Sequence, residues 1–200
     1  MRLLLIESKM KSFLKVIQLN KNEPELIKKA AKNNREAQHV LFELYAPKML
    51  SVCRYFIKDL QHTEEVMLNG FFKVFSNLRN FKGEGSFEGW IRRIMVRESI
   101  SYLRQKKRIE FIAEDFVFNN TYNNIETDIE VEQIQQLIDQ LPEGYKTIFI
   151  MYAIEGYKHN EIATMLNISE STSKSQLFKA RKMLQGKIKK LNKKTSYGTN

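Results

Sequence analysis

Apolar residues recur at spacings of three and four along most of this 200-residue chain, no run alternates, and only three prolines and eight glycines interrupt the pattern. A period near 3.6 puts such residues on one helix face, whereas a half-buried strand would need a period of two. The chain therefore reads as all-α. Asn22-Glu23-Pro24-Glu25 supplies a cap, an early proline and an acid for a first helix whose stripe is Leu26, Ile27 and Ala30. Asn33-Asn34 breaks it. A second helix carries Leu41, Leu44, Tyr45, Val52 and Phe56, with a kink expected at Pro47 and Cys53 in the core. A third is expected from Thr63, with Val66, Phe71, Val74, Phe75 and Leu78 inward and Glu64 and Glu65 at its positive end.

The period fails from Ile109 to about Thr127 and returns with Ile134, Leu137, Ile138 and Leu141. Two helical domains joined by a linker follow. The expected divisions are an N-terminal extension at 1–21, a first domain at 22–108, a linker at 109–132, a second domain at 133–190 and a disordered polar tail at 191–200. Charge follows the same divisions. There are 22 basic and 11 acidic residues up to Arg108, none and 8 from Ile109 to Gln140, and 11 and 4 beyond. The formal net charge of +10 is thus two basic blocks around an acidic one, and two basic blocks imply an anionic partner.

Composition also excludes. A single cysteine allows neither an intrachain disulfide nor a Cys-x-x-Cys metal clip, and three histidines add little. No metal, cofactor or small-molecule substrate is expected. Leu3-Leu4-Leu5-Ile6 is too short for a signal-peptide core, and no later run approaches the roughly 18 apolar residues of a membrane span, so a cytoplasmic protein is expected. No nucleophile or paired-carboxylate pattern stands out. The glycine loop Lys82 to Ser86 lacks the preceding strand that a nucleotide site would need. The chain is not expected to be an enzyme.

Two segments carry the functional signal. Ser86 can cap a fourth helix from Phe87 to Arg108. On a wheel of about 100° per residue, Arg93, Arg97, Arg104, Lys107 and Arg108 share one arc, and Phe87, Ile91, Ile94, Met95 and Tyr102 lie opposite. Trp90 borders the cationic arc and Phe81 precedes the glycine loop. Rings beside guanidinium groups suit single-stranded nucleic acid, because unpaired bases stack while arginines hold phosphates. The second segment, Tyr157 to Leu184, reads as a helix-turn-helix. Ile162, Ala163 and Leu166 pack the first helix, Asn167 turns left-handed, Ser169 caps the second, and Leu177, Ala180, Leu184 and Ile188 form its buried stripe. Ser171, Thr172, Lys174 and Ser175 then stand where base edges are read in a major groove, with Lys179, Arg181 and Lys182 placed for phosphates.

The pairing of GSFEGWIRRIMVRESISYLRQKKR with LPEGYKTIFIMYAIEGYKHNEIATMLNISESTSKSQLFKARKML resembles the sigma-70 family of RNA polymerase sigma factors, in its compact extracytoplasmic-function (ECF) group. The resemblance covers about Glu25 to Lys190. It implies a region 2 that binds core polymerase and melts and reads the −10 element, and a region 4 that reads the −35 element. By this resemblance Phe81, Ser86, Phe87, Trp90 and Arg93 belong to the melting segment, with Arg97, Arg104 and Arg108 on the same cationic face. The loop Lys82 to Ser86 would capture a flipped base. Glu65, Val66, Asn69 and Phe72 would meet core polymerase, and many relatives are held by an anti-sigma factor. Five positions depart from the family pattern. Arg97 replaces a frequent asparagine, Leu68-Asn69 a Gln-Glu pair, Asn167 a frequent glycine, and Ser173 an apolar residue. The acidic linker would run through basic channels of the polymerase or serve simply as a solvated connector. The competing reading is a free-standing helix-turn-helix regulator that binds duplex DNA as a dimer.

Overall fold

The computed structural model describes residues 23–106 and 131–196, with side chains described for 23–106 and 133–191. The expected N-terminal extension, most of the linker, Lys107 and Arg108 lie outside the described residues. Every regular element among those described is helical: α1 (residues 23–31), α2 (Arg35–Phe56), α3 (Leu60–Ser76), a short 3-10 turn at Leu78–Asn80, α4 (Phe87–Gln105), α5 (Val131–Asp139), α6 (Glu143–Phe149), α7 (His159–Leu166) and α8 (Glu170–Ser196). None of the described helices is long and apolar enough to cross a membrane.

The N-terminal unit packs α2, α3 and α4 against one another. Asn33 takes the left-handed conformation at φ 64°, and the Asn34 side chain accepts the Ala37 amide to start α2. Helix α2 runs through Pro47 without a break, burying Leu41, Tyr45, Met49, Val52, Cys53 and Phe56. Helix α3 starts earlier than its apolar pattern suggests. Asp59 is the cap, accepting the His62 amide at 2.8 Å, and Thr63 lies inside the first turn, fully buried with its hydroxyl on the Ile57 and Asp59 carbonyls. A buried threonine satisfied by local carbonyls looks like a cap in sequence.

Gly70 of α3 makes room for the Met95 side chain of α4. A methyl group there would lie 2.3 Å from the Met95 sulfur, and Met95 is completely buried. Gly70→Ala is expected to force Met95 off its rotamer and destabilise this unit by about 1–3 kcal/mol, read as a lower urea midpoint. An unchanged midpoint would mean the helices part without penalty.

In the C-terminal unit, α6 and α7 pack on α8, and α5 touches its outer part. Ile148, Ile150, Met151, Ile162, Leu166, Leu177, Ala180 and Leu184 form the core, whereas Ala163 is only half-buried. Helix α6 widens into a π-helical turn at Ile150–Ile154 before Gly156 takes φ +74°. Helix α8 continues to Ser196, beyond the point where the sequence pattern ends the domain. The lysines of its last turns favour a helix C-terminus and carry no apolar stripe to mark it.

Candidate nucleic-acid interface

The glycine loop aims α4. Gly83 and Gly85 both adopt positive φ, 75° and 86°, where a side chain would be strained. Ser86 then accepts the Gly89 amide at 3.0 Å, capping α4 as expected. Phe81 and Phe87 meet edge-on at 5.1 Å and Trp90 stacks beside Phe87 at 5.9 Å, so loop and helix share one aromatic cluster. Phe87 is its buried anchor, 2% exposed and against Tyr45 at 5.6 Å. That removes Phe87 from the contact face, because its ring already faces the core. Phe81 is half-exposed on a cleft of about 530 Å³ lined by Ile27, Ala31 and Leu78 with Lys28, Arg79, Lys82 and Glu23, and Trp90, also half-exposed, lines a second cleft of about 310 Å³ with Ile94 and Arg97.

Along α4 the two faces separate as the wheel predicts. Ile91, Met95, Val96, Ile100 and Leu103 are buried, while Arg93, Arg97 and Arg104 are exposed. Arg92 lies between the faces, and its guanidinium donates to both Glu155 oxygens, at 2.5 and 2.8 Å. Burial alone would lower its pKa, but the Glu155 hydrogen bond, the largest effect on it, holds it above its ordinary value.

On α3, Glu65, Asn69 and Phe72 are exposed on one side, together with Leu68. Phe72 is 74% exposed and Leu68 54%, an apolar pair left uncovered by the described residues. Val66 is buried at 4%, so it supports this face from beneath and does not present to a partner. Leu68, a departure from the family's Gln-Glu pair, adds apolar surface to this side of α3.

The helix-turn-helix forms as expected. Asn167 closes α7 at φ 55°, and Ser169 Oγ accepts the Thr172 amide at 2.9 Å to open α8. Ser171 and Lys174 are exposed at the start of α8 and Thr172 is half-buried, with Lys174 paired to Glu170 at 2.8 Å. Ser175 does not join them. It is 4% exposed, and its hydroxyl turns back to the Thr172 carbonyl at 3.0 Å. Lys179 is half-buried and Arg181 lies over the Tyr152 ring at 5.4 Å, leaving Lys182 as the exposed cation of that turn. Ser173 is wholly buried and bonds His159 Nδ1 at 2.9 Å, which explains a polar residue at a packing position. Burial, followed by the charge of Lys174, lowers the pKa of that histidine.

The comparisons with known proteins agree with this architecture. Residues 41–109 match the family model for sigma-70 region 2 and residues 131–184 that for sigma-70 region 4, together more than half of the chain. The RNA polymerase sigma-H factor of Pseudomonas aeruginosa is 26% identical over 84% of this chain and 95% of its own. The ECF RNA polymerase sigma factor SigW of Bacillus subtilis is 24% identical over 82% and 96%. Among solved structures, the sigma factor RpoE of Bartonella quintana, determined with the anti-sigma factor NepR, matches in fold with a TM-score of 0.50 at 16% identity, over 76% of this chain and 96% of that one. A helical unit with an arginine-faced helix behind an aromatic loop, followed by a helix-turn-helix unit, is the paired region 2 and region 4 arrangement of a sigma factor. The chain belongs to the sigma-70 family, and it is an alternative sigma factor of the ECF group.

Proposed function

We propose that this sigma factor divides its work between its two helical units. The N-terminal unit docks on core RNA polymerase through Glu65, Leu68, Asn69 and Phe72, and holds the melted −10 strand along Arg93, Arg97 and Arg104 with Phe81 and Trp90 stacking on bases. The observation that carries this reading is the division of α4, which buries Ile91, Met95, Val96, Ile100 and Leu103 while Arg93, Arg97 and Arg104 on the opposite side are exposed, Arg97 in one cleft with Trp90. The loop Lys82 to Ser86 and the cleft it lines suit a base turned out of the stack. The C-terminal unit reads the −35 duplex with Ser171, Thr172 and Lys174, while Lys182 meets a phosphate. An exposed apolar pair at Leu68 and Phe72 would also suit an anti-sigma factor competing for the polymerase face.

Binding measurements with core polymerase test the division. The chain is expected to join core polymerase one to one, and the holoenzyme to prefer a single-stranded −10 nontemplate oligonucleotide over the same sequence as duplex. Tight duplex binding by the chain alone, as a dimer, would instead support the free-standing regulator. On the −35 side, Lys182→Ala is expected to lower the slope of log affinity against log salt by about one unit, whatever the sequence bound. An unchanged slope would place Lys182 off the phosphates.

A further inference from the structure

One carboxylate stands in a cleft whose other charged groups are cations. Glu23, at the start of α1, lines the cleft of about 530 Å³ together with Lys28, Arg79 and Lys82. That volume lies within the range of small-molecule pockets. Tyr45, buried on α2, donates its hydroxyl to one oxygen of Glu23 and so fixes the carboxylate. The second oxygen has no partner among the described residues. Neighbouring Glu88 is paired with Lys48 at 2.7 Å, whereas Glu23 forms no ion pair with any described residue. Burial, followed by the charge of Glu88, raises the Glu23 pKa, as expected of a carboxylate short of donors.

A carboxylate repels the phosphates that Lys28, Arg79 and Lys82 attract, and it only accepts hydrogen bonds. The part of a nucleic acid that it can meet is therefore an N–H of a base. The bases differ in what they offer. Cytosine and adenine carry an amino group beside a ring nitrogen that accepts, which answers one carboxylate oxygen near the exposed donors Lys28 and Lys82. Thymine has a single ring N–H between two carbonyls, whose lone pairs would face the carboxylate. Guanine sets its amino group beside a ring N–H, two donors for one free oxygen and no acceptor between them for a lysine.

We infer that Glu23 is a specificity-determining residue of the single-strand surface, accepting a hydrogen bond from the amino group of a cytosine or adenine turned into the cleft and disfavouring thymine. The inference rests on the reading of that surface as the holder of the melted −10 strand. It adds a residue of α1, outside both the glycine loop and the cationic face of α4, that sets which base is taken.

Selection of a random single-stranded DNA pool on the holoenzyme, read by sequencing, tests the assignment, with core polymerase alone as background. Wild-type holoenzyme is expected to enrich cytosine or adenine over thymine about tenfold at one position of the selected motif. Glu23→Gln keeps the size of the side chain but adds an amide group that can donate to a thymine carbonyl, and should bring that ratio below about threefold. Tyr45→Phe leaves the carboxylate free to turn and should lower the ratio part of the way. Preferences at the other positions of the motif should persist in both variants, which damage to the fold would not allow. Guanine or thymine at the selected position, a ratio unmoved by Glu23→Gln, or loss of every preference together would overturn the role of Glu23 and leave the single-strand surface standing. A pool retained no better by holoenzyme than by core polymerase would overturn both.

Discussion

Arg97→Ala is expected to lower open-complex formation about tenfold while changing closed duplex binding at the −35 element by less than twofold. Arg97 is exposed near the middle of the cationic face of α4, one turn from Arg93, and packs no part of the core. Losing one charge-assisted hydrogen bond to a phosphate accounts for an effect of that size, and it falls only on the state in which the strand lies on α4. Permanganate footprinting of the melted bases, beside a gel-shift measurement of duplex binding, separates the two steps. Equal losses in both would show that Arg97 serves general attraction to DNA.

Asp139→Ala carries the largest expected effect on stability. Asp139 lies 2.9 Å from Arg54 and 3.5 Å from Lys146, and Lys146 is completely buried with Glu143 at 4.0 Å as its other acidic neighbour. Removing Asp139 leaves a buried ammonium nearly uncompensated, a change that destabilises folded proteins by about 3–5 kcal/mol. A thermal melt should show the C-terminal unit unfolding earlier, and replacing Lys146 with Met in the same chain should recover most of the loss. A melt unchanged by Asp139→Ala would mean that water reaches the ammonium.

The pH dependence of this cluster has a definite sign. Burial pushes the Asp139 carboxyl up, but the Arg54 hydrogen bond and the charge of Lys146 outweigh it and hold the group below its ordinary 3.8. A lowered carboxylate contributes stability that is fully present above 3.8 and lost as pH falls through the lowered folded value. Burial, the leading cause, lowers the Lys146 ammonium below 10.5 against the pull of Glu143 and Asp139. The unfolded chain therefore holds that proton longer, and stability from this group climbs as pH rises from the lowered value toward 10.5. Wild-type protein should lose stability in acid through Asp139, and Asp139→Ala should lack that part of the titration.

Local chemistry made much of this legible. Ser86, Asn167 and Ser169 occupy their turn and cap positions because short polar side chains satisfy nearby amides or tolerate left-handed backbone, and neither effect needs tertiary context. The faces of α4 were equally readable, since period alone sorts Arg93 and Arg97 from Ile91 and Met95. What sequence could not resolve is which side of a short polar or apolar residue faces in. Ser175 looks like a surface candidate by its place at the start of α8 yet is buried, and Val66, inward by spacing, is buried although the resemblance sets it against polymerase. Contacts between the units were invisible for another reason. Arg54 and Asp139 are 85 residues apart and Arg92 and Glu155 are 63 apart, and no local pattern distinguishes such pairs from solvated charges.

Reconstitution with purified core polymerase on a genomic template, followed by mapping of transcript 5′ ends, shows whether the two helical units jointly direct core RNA polymerase to promoters. Discrete starts are expected only when the chain is present, each preceded by a shared pair of sequence elements near −10 and −35. Starts that do not change when the chain is added, together with polymerase-free binding to a duplex operator, would contradict it.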